Sequence, residues 1–142
     1  MPYRQDIDIE LEETEPSKYL ISSQHRKKGN PNKSIWTISL EDEVNCFIQT
    51  ICNNWKAGVE AWGIKPNGNT LQVVGVNNNN EQLKLAKFVD GTNTDVWHGY
   101  PADHMYKAQD RPTTEILKSW VEQGYITKPK MSKIRQGKLC NL

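Results

Sequence analysis

The densest run of reactive side chains in the 142-residue sequence is Trp97–Arg111, WHGYPADHMYKAQDR. It holds His98, Asp103, His104, Tyr106, Lys107, Asp110 and Arg111. Imidazole titrates at about 6.5, so two histidines can share acid and base roles near neutral pH. Arg111 or Lys107 can stabilise the extra negative charge of a phosphorane-like transition state. The set His98, Asp103, His104 and Arg111 therefore fits metal-independent RNA cleavage. The competing account is structural. Trp97, Tyr100 and Pro101 would cap a core, and the polar side chains would hydrogen-bond the loop in place.

Other chemistries have less support. His98 and His104 stand six apart in a Pro-containing loop, with no HExxH or cysteine-rich spacing beside them, so no metal site is expected. There is no GxxxxGK[ST], GxGxxG or GxSxG motif, and no cofactor is expected. Cys46, Cys52 and Cys140 make an odd count without framework spacing, which argues against a secreted disulfide scaffold. The start, MPYRQDIDIELEE, has no apolar targeting core, and no run approaches the ~18 apolar residues of a membrane span. A cytoplasmic protein without membrane attachment is the expectation.

Charge is distributed unevenly behind a net value of only +1. Residues 1–16 carry six acids and one base, whereas residues 123–142 carry five bases and no acid. Loop 24–33 adds Arg26, Lys27 and Lys28. With Lys128, Lys130, Lys133, Arg135 and Lys138 they form a candidate phosphate-contacting set, and RNA or DNA is the expected partner. The leading functional expectation is thus a small binding protein for an anionic partner. The alternatives are the ribonuclease-like enzyme above and a non-catalytic protein-interaction or immunity-type protein docking through its acidic strand. Internal use of the charges, acidic strand against basic loop or tail, would leave no free patch.

These residues need a scaffold, and its outline is legible. DIDIELE (6–12) alternates as a half-buried strand does, with Ile7, Ile9 and Leu11 on one side. Short apolar runs at 19–21 and 34–38 read as two more strands. Ser39 stands as an N-cap before a helix at about 40–58, whose stripe is Leu40, Val44, Phe47, Ile48, Ile51 and Trp55. Residues 70–76 and 82–89 read as strands around the turn Asn77–Asn80, and 95–98 as a short strand. Helices follow at about 113–123, ended by Gly124, and 128–136, capped by Thr127. The second of these pairs with the first in helix-turn-helix proportions. Strands and helices fall in blocks, which predicts one α+β domain over 1–142. A mostly antiparallel sheet is packed by the long central helix and the C-terminal helix pair. Trp36, Trp55, Trp62, Trp97 and Trp120 are expected in the core, since each can bury on the order of 150–250 Å².

Overall fold

Residues 3–27 and 33–142 are described by the computed structural model. The N-terminal part holds β1 (Asp8–Glu10), β2 (Lys18–Leu20) and β3 (Ile35–Trp36), followed by α1 (Leu40–Cys52). Then come β4 (Lys56–Ala57), β5 (Glu60–Gly63), β6 (Pro66–Asn67), β7 (Thr70–Leu71), β8 (Gly75–Val76) and β9 (Gln82–Leu83). The long strands β10 (Leu85–Val89) and β11 (Val96–Ala102) precede α2 (Thr114–Glu122) and α3 (Lys128–Arg135). The architecture is α+β with antiparallel pairing predominant. No helix among the described residues is long and apolar enough to cross a membrane.

The main sheet runs β1-β2-β11-β10-β5-β4, and its one parallel contact joins β2 to β11. The two-residue period of a strand sends alternate side chains to opposite faces. Ala61, Ala86 and Phe88 accordingly join Phe47 and Val44 of α1 in one core. Trp62, Leu85 and Ala102 join Leu117, Trp120 and Ile134 of α2 and α3 in the other. The sheet is therefore the middle of three layers, and all five tryptophans are buried in it or against it.

Local chemistry sets the helix limits. Ser39 Oγ accepts from Asp42 N at 3.0 Å, and Thr127 Oγ1 accepts from Lys130 N at 3.4 Å. The expected helix 40–58 stops at Cys52 because Asn54 takes φ 57°. Asn54 N then donates to Ile51 O and Trp55 N to Thr50 O, which closes a Schellman end. Lys56–Ala57 turns back as β4, with Gly58 at φ 64° in the hairpin. Gly124 and Gly137 end α2 and α3 in the same way.

Several strand expectations need correction: 70–76 is split into β7 and β8 and 82–89 into β9 and β10, each pair divided between different sheets, so that only Gly75–Val76 and Gln82–Leu83 pair around the Asn turn. The alternation at 6–12 gives only the three residues of β1, and Ile7 is 50% exposed. Asp6 sits at φ 62° and turns the chain, its carboxylate accepting from Ser23 N. The short strand expected at 95–98 instead continues through Gly99 and Pro101 to Ala102. Pro101 is tolerated because the Gly99 and Pro101 carbonyls face away from β10. They accept from Trp36 Nε1 at 3.2 Å and Ser34 Oγ at 2.6 Å. Gly99 is required by packing, since a Cβ there would lie 2.4 Å from Phe88 Cδ1 and 2.8 Å from the Tyr19 hydroxyl. Gly99→Ala is expected to lower unfolding free energy by about 1–3 kcal/mol in urea titration, the range for overpacking a filled core.

Candidate functional site

The pleat of β11 places His98 and Tyr100 on the face shared by Lys87 and Val89 of β10, their cross-strand partners. Beyond Trp97, β11 has no further pairing with β2. The segment leading into β3 borders that edge instead. His25, in a 3₁₀ turn over Ser23–His25, stacks on Tyr100 with ring centroids 5.2 Å apart and planes 21° from parallel. Its Nδ1 lies 3.0 Å from Ser34 O. A carbonyl can only accept, so Nδ1 carries the proton and Nε2 is the basic nitrogen of the neutral ring.

The far wall is the 3₁₀ turn Ala108–Asp110. The Tyr100 hydroxyl donates to Asp110 Oδ1 at 2.9 Å, and Asp103 N donates to Asp110 Oδ2 at 2.8 Å. Lys87, only 3% exposed, donates from Nζ to Gln109 O at 2.5 Å and lies 5.2 Å over the Trp62 ring. These contacts fix the turn to the sheet. The result is a cleft of about 240 Å³ lined by His25, Lys33, Ser34, His98, Tyr100, Lys107, Gln109 and Asp110. A second hollow of about 200 Å³ shares Lys33, Ser34, Lys107 and Asp110 with it and adds Asn77, Asn78 and Asp103.

Burial is the main influence on both imidazoles. It lowers the His25 pKa, and the charges of Lys33, His98 and Lys107 lower it further against the Ser34 hydrogen bond. Burial and then Lys33 lower the His98 pKa, while the Asp90 carboxylate pulls it back up. Desolvation raises Asp110, opposed first by the Asp103 N–H and then by the Tyr100 hydroxyl and two lysines. The cleft thus sets two imidazoles that burial and Lys33 shift toward the neutral form beside Lys33, Lys107 and the Asp110 carboxylate.

The four catalytic candidates do not converge. His98 lines the cleft, and Asp103 lines the adjoining hollow. His104 lines a third hollow beside Leu139 and Cys140, which Asp103 also borders, so these two candidates meet there while His98 and Arg111 do not. The Nε2–H of His104 donates to Lys138 O at 2.9 Å, and Arg111 Nε donates to His104 O at 2.8 Å. The Arg111 guanidinium lies so close to Gly137 that a Cβ there would be 2.1 Å from Nη2. His104 and Arg111 therefore clasp the C-terminal segment onto loop 104–111. The structure pairs His98 with His25, which lies far away in sequence among loop charges. The only sequence signal for that pairing is that His25 is the remaining histidine of the three.

The basic candidates divide similarly. Arg26 faces inward onto Glu43 of α1, so its charge is engaged inside the fold and is withdrawn from the phosphate-contacting set. Lys27 is exposed, and its charge reaches Asp6, whose carboxyl is held below its ordinary value first by the Ser23 N–H. Lys28 lies outside the described residues. Lys128, Lys133, Arg135 and Lys138 are exposed and Lys130 is half-buried. Among the described residues, no carboxylate lies within ion-pair distance of these five. Loop 23–27 packs on β3 and the start of α1, whereas α3 packs on α2. The acidic β1 makes its ion pair with its own neighbour, Glu10 to Lys18 at 3.7 Å, and among the described residues no ion pair joins it to either basic segment. No protein-family model, no curated protein and no solved structure matches the chain.

Proposed function

We propose that the chain is a metal-independent, ribonuclease-like enzyme with His25 as general base and His98 as general acid. The observation that carries this reading is that imidazoles from two distant segments line one cleft together with Lys33 and Lys107. The Ser34 carbonyl holds the Nδ1 proton of His25, so Nε2 is available to take the proton of a ribose 2′-hydroxyl. The 2′-oxygen attacks phosphorus and the bond to the 5′-oxygen breaks. His98, protonated in the substrate complex, returns a proton to the departing 5′-oxygen. The products are a 2′,3′-cyclic phosphate and a free 5′-hydroxyl. The two lysines stabilise charge on the pentavalent phosphorus. A bound phosphate raises both imidazole pKa values by attraction, and Asp90 favours His98 as the one that charges.

The cations of α3 and its tail serve this enzyme as a substrate hold. Reversing Lys130, Lys133 and Arg135 to Glu is expected to raise KM for RNA roughly tenfold with kcat retained. The slope of log affinity against log salt should flatten by about 1 for each phosphate contact removed. A salt-insensitive KM would remove α3 from the binding surface. A cytoplasmic site of action is part of the proposal and is supported by three free thiols.

The test is end-labelled RNA incubated with the protein in EDTA. Cyclic-phosphate-ended fragments are expected from the wild type, with DNA of the same sequence left intact because it lacks the 2′-hydroxyl. Inert wild-type protein, or cleavage that survives His25→Ala/His98→Ala, would sink the proposal.

A further inference from the structure

Next to the two histidines, the second hollow has the features of a subsite for one base. Its volume of about 200 Å³ is below the ~300 Å³ at which pockets for drug-sized ligands begin, a scale suited to a single heterocycle. It shares Lys33, Ser34, Lys107 and Asp110 with the cleft. A base seated there would lie beside the cleft that His25 and His98 line. At its wall is Asp103, a carboxylate only 7% exposed.

Asp103 is held firmly from behind. Its N–H is bound by Asp110, its main-chain oxygen accepts from Lys107 N at 3.0 Å, and its Oδ2 accepts from Asn77 Nδ2 at 3.1 Å. Asn77 is itself fixed, since its Nδ2 also donates to Glu81 Oε1 and its Oδ1 accepts from Asn79 N and Glu81 N. No hydrogen bond to Oδ1 of Asp103 is found among the described residues. A carboxylate has about four acceptor positions on its two oxygens, so this one retains capacity for a ligand. It can accept two parallel N–H groups, the strong charge-assisted bidentate arrangement.

Guanine presents that pair of donors, N1–H and the 2-amino group, side by side on one edge. Adenine and cytosine each offer one amino group, and uracil one imide N–H. Resting on the proposal that the cleft cleaves RNA, we infer that this hollow is a guanine subsite in which Asp103 reads N1–H and N2–H. Lys33 lines the same hollow with its ammonium donating to Gln24 Oε1 at 2.5 Å, and its role stays with the phosphate. Asp103 thereby leaves the group of reacting residues and becomes a specificity determinant.

The experiment uses four DNA oligonucleotides, each with a single ribonucleotide, G, A, C or U, as the only cleavable position. Wild-type kcat/KM is expected to favour the ribo-G substrate by roughly 10–100-fold, the discrimination of one good bidentate pair. Asp103→Asn should lose most of that factor while cleaving the other three within about threefold of the wild type. Equal cleavage of all four, or a preference for another base, overturns the guanine subsite and leaves the catalytic proposal standing. Absence of cleavage on any of them sinks the catalytic proposal instead. Binding of the four nucleoside 3′-monophosphates to unmodified protein, measured by calorimetry, covers that case and the case of an unfolded variant. Preference for guanosine 3′-monophosphate by about tenfold or more supports the subsite, and equal or undetectable binding of all four rejects it.

Discussion

Arg26→Ala is expected to lower the unfolding free energy by about 3–5 kcal/mol, the range for stranding one partner of a buried ion pair. Glu43 is 0% exposed. Its Oε1 accepts from Arg26 Nη2 at 2.7 Å and Nε at 3.2 Å, and its Oε2 accepts from the Tyr19 hydroxyl at 2.5 Å. The same guanidinium binds Ile38 O, and Ser39 O at 3.2 Å. Removing it leaves the buried carboxylate with only the Tyr19 hydroxyl and the Ile38 carbonyl without its donor, while Ser39 O keeps the Glu43 N–H. In a Glu43→Gln background the Arg26→Ala change should cost clearly less, because no buried charge is left behind. Equal losses in the two backgrounds would contradict this account.

The pH dependence has a definite sign. Burial already raises the Glu43 pKa, against the bonds from Tyr19 and Arg26, and losing Arg26 raises it further. A carboxyl with a raised folded pKa binds more protons folded than unfolded. Stability therefore falls as pH rises from the unfolded value, about 4.3, through the folded one. The gap between variant and wild type should widen from pH 4 to pH 7 in denaturant titrations. Because Arg26 adjoins His25, the variant should also lose activity at temperatures where it remains folded.

Removing either imidazole of the cleft is expected to lower kcat/KM on RNA by roughly 10²–10⁴, the contribution of a positioned acid or base. His98→Ala should unfold within about 1 kcal/mol of the wild type, whereas His25→Ala also gives up the stack on Tyr100 and strands the buried Ser34 carbonyl, which lowers stability by about 1–3 kcal/mol. The profile of kcat/KM against pH should be bell-shaped. Its acid limb follows the free-enzyme base, which must be neutral, and its alkaline limb the acid, which must be charged. Burial and Lys33 lower both groups in the free protein, so the kcat/KM optimum lies on the acid side of about 6.5. In the complex the phosphate raises both, so the kcat optimum lies at higher pH. Coincident optima for the two parameters would contradict the assignment.

Sequence reasoning reached the scaffold further than the site. The stripe of α1, its Ser39 cap, the Asn77–Asn80 hairpin and the glycine ends of α2 and α3 are local features, written in spacing and turn chemistry. The end of α1 is hidden because Asn53 and Asn54 fall between the stripe residues Ile51 and Trp55, where a left-handed stop is not distinguishable by spacing from polar helix positions. β11 escaped because Gly99 and Pro101 are strand breakers in isolation. They are acceptable here only because Phe88 and Tyr19 leave no room for a Cβ and β3 faces the proline edge. The site escaped for the same kind of reason. His98 has a nearby histidine in the chain, His104, but strand direction and the clasp on Lys138 separate them. Its actual companion is carried in by a turn that docks on Tyr100.

The parallel contact of β2 with β11 has a temporal consequence. During synthesis from the N-terminus, the strands at 8–20 emerge long before their neighbour in the main sheet. His25 likewise leaves the ribosome well ahead of Tyr100, the ring it stacks on. The proposed cleft therefore stays incomplete until residues 98–110 have emerged, well after His25, and an early segment alone carries only one of its two imidazoles.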